Sequence, residues 1–121
     1  MIILTLPTPP SVNALYANRK RGRGRGRIKT KAYRDWLVQA DKWLLTQKRN
    51  LPKEPVAGNL KLIITIPMSK RSDASNFVKA PEDFLVSRMI TGDDRNNWEV
   101  TVKKDTLLDC CFIEILPIVG T

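Results

Sequence analysis

LKLIITIP (60–67), followed by MSKRSDASNFVKAPEDFLV (68–86), decides how this chain folds. The first eight residues are rich in β-branched side chains and carry one charge, Lys61, so they read as a buried strand that ends at Pro67. A polar passage then gives way to a helical pattern. On a wheel of about 100° per residue, Phe77, Val78, Pro81, Phe84 and Leu85 share one side, while Asn76, Lys79 and Asp83 share the other. This spacing predicts a helix over roughly residues 74–89. Pro81 lies inside it, where a missing N–H removes one backbone hydrogen bond and kinks the helix or delays its start.

Outward from that unit the remaining elements follow by the same reasoning. Residues 2–6, IILTL, read as a strand ended by Pro7, with Pro9 and Pro10 making a stiff extended exit. Thr30 is placed to cap a helix over about residues 30–48, because Tyr33, Trp36, Leu37, Ala40, Trp43 and Leu44 recur at i, i+3, i+4, i+7. Pro52, Pro55 and Gly58 mark a loop. Thr91, Gly92, Asp93 and Asp94 form a turn, residues 98–104 alternate as a half-buried strand, and residues 110–118 make the last strand. The expectation is a single α/β domain over residues 1–121: a mixed sheet with packed helices in β-α-β-α-β-β order.

Charge is the next constraint. The chain carries 21 Lys and Arg against 12 Asp and Glu, a formal net charge of +9. The excess sits in the first 34 residues, which hold no carboxylate. Residues 19–27, RKRGRGRGR, are too flexible and self-repelling to pack alone, so residues 18–29 are expected to form a mobile basic loop. Such asymmetry is the footprint of a polyanion partner, because each phosphate neutralised releases condensed counterions. Arg19, Lys20, Arg21, Arg23, Arg25, Arg27 and Lys29 are the candidate phosphate contacts, joined by Arg71 ahead of the second helix. Flexible arginines carry no base code of their own.

Several chemistries drop out. The chain has no histidine, which excludes a Ser-His-Asp arrangement and His-based metal sites. Cys110 and Cys111 are adjacent, so they make a strained bridge at best and no zinc site, and a reducing, cytoplasmic setting is the simplest reading. No apolar run reaches the roughly 18–20 residues of a membrane span, and MIILTL lacks the charged start of a signal peptide.

Against this basic background stand Asp73, Asp83, Asp93 and Asp94. Carboxylates repel phosphate unless a cation stands between, and Asp-rich oxygen cages suit Mg²⁺ or Mn²⁺, which activate water at a phosphodiester. That chemistry requires Asp73 to converge with the turn bearing Asp93 and Asp94. Each residue also has a plainer role. Asp73 is placed to cap the helix, and Asp93 and Asp94 after Gly92 are ordinary turn residues. Lys79 could neutralise a pentacoordinate phosphate or simply pair with Asp83 one turn on. Asn13 and Tyr16 could position a phosphate or stack a base, or anchor their loop.

LTLPTPPSVNALY (4–16), a basic stretch, KAYRDW (31–36), RSDASNFVKAPEDFLV (71–86) and GDDRNNWEV (92–100) together resemble the RusA family of Holliday junction resolvases. The middle resembles that family's core, in which Asp-x-Asp-Asn-x-x-Lys opens a helix and Asp-Asp follows. The resemblance implies a homodimeric endonuclease that nicks four-way DNA junctions symmetrically with Mg²⁺ or Mn²⁺ and no nucleotide cofactor. A short resolvase of this type is often phage- or prophage-borne. By position, Asp73, Asp93, Asp94 and Lys79 match the catalytic residues, Asn76 the signature Asn, and Asp83 an acidic position after the Lys. Ser75 departs from the pattern: it stands where the family has an Asp, leaving a neutral oxygen in the metal-ligand set. A non-catalytic DNA- or RNA-binding protein on the same scaffold is the alternative that Ser75 keeps open.

Overall fold

Leu60–Ile66 forms one of the two inner strands of a four-stranded sheet in the computed structural model, which describes residues 1–18, 26–67 and 73–118. In chain order the elements are β1 (Ile2–Leu6), β2 (Tyr16–Asn18), β3 (Arg27–Lys29), α1 (Lys31–Leu45), β4 (Leu60–Ile66), α2 (Lys79–Ser87), β5 (Asn97–Lys104) and β6 (Cys111–Pro117). The large sheet runs β1-β6-β4-β5, and β2 with β3 makes a separate hairpin. β6 pairs antiparallel with both β1 and β4, whereas β4 and β5 are parallel and need the crossover that α2 supplies. The mixed α/β architecture is therefore the one expected, with the hairpin added to the strand order.

The period of two along β4 sets the core. Leu60, Leu62, Ile64 and Ile66 are fully buried on one face, continued by Ile113 and Ile115 of β6 and by Leu4 and Leu6 of β1. Tyr33, Trp36 and Ala40 of α1, with Ala80, Phe84 and Leu85 of α2, close over that face. Trp36 meets Phe84 edge to face at 5.6 Å, and its indole N–H donates to the Pro7 carbonyl at 2.9 Å, which satisfies the polar handle of a buried ring.

Two expectations are corrected. The helix predicted over residues 74–89 is split into a 3-10 turn, Ala74–Phe77, a break at Val78, and then α2. Pro81 is the reason: it falls in the first turn of α2, where its absent N–H leaves no intrahelical bond unmade. Second, Asn18 and residues 27–29 are not loop but the paired strands β2 and β3. Residues 19–25, and with them most of the expected mobile loop, lie outside the described residues.

The base of the hairpin is fastened to α1. Thr30 caps that helix by accepting from the Tyr33 amide at 3.2 Å, its hydroxyl donates to Ala14 O at 2.6 Å, and its own amide donates to Leu15 O at 3.0 Å. At the outer side of β1, Gln47 imitates a neighbouring strand: Oε1 accepts from Thr5 N at 2.7 Å and Nε2 donates to Thr5 O at 2.8 Å. β5 was expected to be half-buried and is instead an exposed edge, with only Asn97 and Val102 partly covered. Cys110 and Cys111 are free thiols, and burial pushes Cys111 up to about 12, an inert core position. No helix among the described residues is long and apolar enough to cross a membrane.

Candidate active site

Lys79 is the first residue of α2 and is exposed. Its ammonium lies 3.2 Å from Asp83, one turn on. The hydrogen bond and charge of Asp83 hold Lys79 more firmly protonated than an ordinary lysine, and Asp94 and Tyr16 act in the same direction. One side chain thus couples α2, the turn before β5 and the strand that opens the basic hairpin. Glu82, in the same helical turn, accepts from Asn97 Nδ2 at 2.9 Å and ties the start of β5 to the start of α2.

Tyr16 brings the basic arm to this rim. Its ring packs edge to face on Tyr33 at 5.7 Å, with the Arg27 guanidinium 5.7 Å from the Tyr16 centroid and the Lys29 ammonium 6.0 Å from that of Tyr33. Burial raises the Tyr33 hydroxyl to about 12, with Tyr16 and the charge of Asp83 adding to the shift. The helical period marks Tyr33 as a core residue, and it is one; the signal for its second role is that tyrosines 16 and 33 bracket the basic run. Asn13 is exposed in the 3-10 turn Val12–Ala14, which packs near the turn Ala74–Phe77. Arg19, Lys20, Arg21, Arg23, Arg25 and Arg71 lie outside the described residues.

The aspartates divide by position. Asp73 caps the turn Ala74–Phe77, accepting from the Ser75 hydroxyl at 2.7 Å and the Ser75 amide at 3.1 Å. Those two bonds hold its carboxyl below the usual range, with help from Lys104. Asp93 caps the 3-10 turn Asp94–Asn96, and the Arg95 amide and the Asp94 side chain hold it low as well. Asn76 is half-buried in the first of these turns, its amide donating to Asp73 O at 3.2 Å.

Among the described residues, no three Asp, Glu or Cys side chains stand close enough to hold one ion together. Each carboxylate is spent within its own turn: Asp73 accepts from the Ser75 hydroxyl and amide, and Asp93 from the Arg95 amide. Ser75 is committed to Asp73, and Asp83 to Lys79. The donors nevertheless suit a hard cation in kind. Asp93 and Asp94 are adjacent and exposed, and Mg²⁺ is commonly held by one or two carboxylates, with waters and substrate phosphates completing its shell.

A basic hairpin, a protonated lysine and a pair of exposed carboxylates on an α/β sheet are groups suited to a phosphodiester. The sequence model of the family described as Endodeoxyribonuclease RusA matches residues 7–108, and the chain belongs to that family. Membership supports a nuclease function of the Holliday junction resolvase kind, in a family that generally depends on a divalent metal. No curated protein matches the chain.

Proposed function

We propose that this protein is a Mg²⁺- or Mn²⁺-dependent endodeoxyribonuclease that resolves four-way DNA junctions by paired symmetric nicks, acting as a homodimer of single-domain subunits. The observation that carries the reading is the position of Lys79, which senses Asp83, Asp94 and Tyr16 together. The same rim therefore offers cationic groups to a backbone phosphate and carboxylates to a cation.

In this reading Arg27 and Lys29, on β3, hold the strand by its phosphates, and the arginines of residues 19–25 extend that grip. Tyr16 and Tyr33 fix the hairpin relative to α2. Lys79, held protonated by Asp83, neutralises charge gathering on the non-bridging oxygens as water attacks phosphorus. Asp93 and Asp94 would hold the cation, and Asp73 with its partner Ser75 would add oxygen donors only once the turns that carry them draw together on it. The bound ion would polarise the phosphodiester and activate the attacking water.

Nicking of an end-labelled synthetic junction, with and without Mg²⁺, tests the reading. Wild type is expected to give metal-dependent nicks that fall about 100-fold in Asp94→Asn. Nicking that persists in chelator, or that Asp94→Asn leaves unchanged, contradicts it. Junction shifted in a gel but uncut at every metal concentration selects the non-catalytic binder, the reading that the neutral Ser75 favours.

A further inference from the structure

β5 pairs with β4 on one side only, and no described strand pairs with its other side. The opposite edge of the sheet is handled differently, since Gln47 bonds both backbone groups of Thr5 on β1. Among the described residues β5 has no such cover; it spans eight residues without a proline and exposes Trp98 (60 %) and Val100 (38 %). A long edge bearing apolar side chains is a template for pairing with another chain.

Its sequence, NWEVTVKK, is complementary to itself. When two copies lie antiparallel about a two-fold axis at Thr101, Glu99 stands opposite the partner's Lys103, Val100 opposite the partner's Val102, and Trp98 opposite the partner's Lys104, each pair occurring twice. Moving the axis by one residue to Val100 sets Glu99 against threonine and loses the ion pairs. The faces agree as well. Glu99 and Lys103 register with Lys61 and Thr65 of β4, and Val100 and Val102 with Leu62 and Ile64, so opposed side chains share a face. Glu99 meets Lys61 only loosely, at 3.6 Å, and Lys103 makes no ion pair among the described residues.

We propose that β5 is the dimer interface, two copies pairing antiparallel about Thr101 so that their sheets join into one of eight strands. This deepens the homodimer of the proposed function by naming its surface. It also sets the two Asn97 residues about 26 Å apart along the seam, from eight steps of roughly 3.3 Å, leaving one candidate site at each end for paired incision.

The test is read by sedimentation equilibrium without DNA or metal, so its failure is distinguishable from a failure of the nuclease reading. Wild type is expected at twice the 13.8 kDa chain mass. Lys103→Glu, which sets like charges opposite each other at two places, should raise the dimer dissociation constant about tenfold. Glu99→Lys alone should do the same. An equimolar mixture of the two variants should return the wild-type mass, because each then meets its opposite charge in the other. Circular dichroism on each variant confirms that the fold is kept. A monomeric wild type, a dimer indifferent to Lys103→Glu, or a mixture no tighter than its components overturns the interface.

Discussion

Tyr33 packs in the core with 3 % of its surface exposed, yet its hydroxyl lies beside Tyr16 and within the field of Asp83. Its raised pKa makes a sign-definite prediction. An unfolded chain releases this proton near 10, whereas the folded protein keeps it until about 12. The contribution is fully present below pH 10 and is lost as pH rises from 10 towards 12. Urea midpoints at about pH 9 and pH 11 should therefore drop less in Tyr33→Phe than in wild type, and equal drops would contradict the assignment. At this scale the sequence was legible where a residue's type limits its chemistry: with no histidine, catalysis was left to carboxylates, lysine and a hard metal ion. Local partners were legible too, as the plainer roles of Asp73 and Lys79 that the structure shows. That Asp73 spends itself on Ser75 and Asp83 on Lys79 follows from capping and i, i+4 geometry, which compete with metal binding for the same oxygens.

Elements were read best where apolar period and punctuation agree, as in β1, α1, β4 and β6. The second helix was misread at its start because Pro81 has two helical uses, and only tertiary packing selects its place in the first turn. The hairpin was missed because six charges in nine residues mask the short strands on either side. At the other end of α2, Met89 has φ 60°, a left-handed conformation that costs a non-glycine residue, and its side chain is 67 % exposed. Met89→Gly should therefore stabilise the protein by about 0.5–1 kcal/mol, since strain is relieved and little packing is lost. Thermal unfolding checks this, and a lower midpoint would mean that the Met89 side chain contributes packing after all.

For the whole molecule, the division of charge foreseen in the sequence becomes a division of space. The hairpin and α2 meet on one side of the sheet, joined by Tyr16, Tyr33 and Lys79, and Asp93 and Asp94 enter from the turn before β5. The long-range part was the least legible. Local pattern does not report the spatial order β1-β6-β4-β5, which leaves β5 at an edge and sets the last strand between β1 and β4. The proposed centre has Asp73 and Asp94 serve one cation. Mn²⁺ affinity, measured by calorimetry on wild type, Asp73→Asn and Asp94→Asn, addresses that sharing directly. Both variants should weaken the same site about tenfold or more, as expected when a charged ligand is lost. Wild-type affinity in Asp73→Asn, with loss only in Asp94→Asn, would show that the two do not share an ion and would contradict the proposed centre.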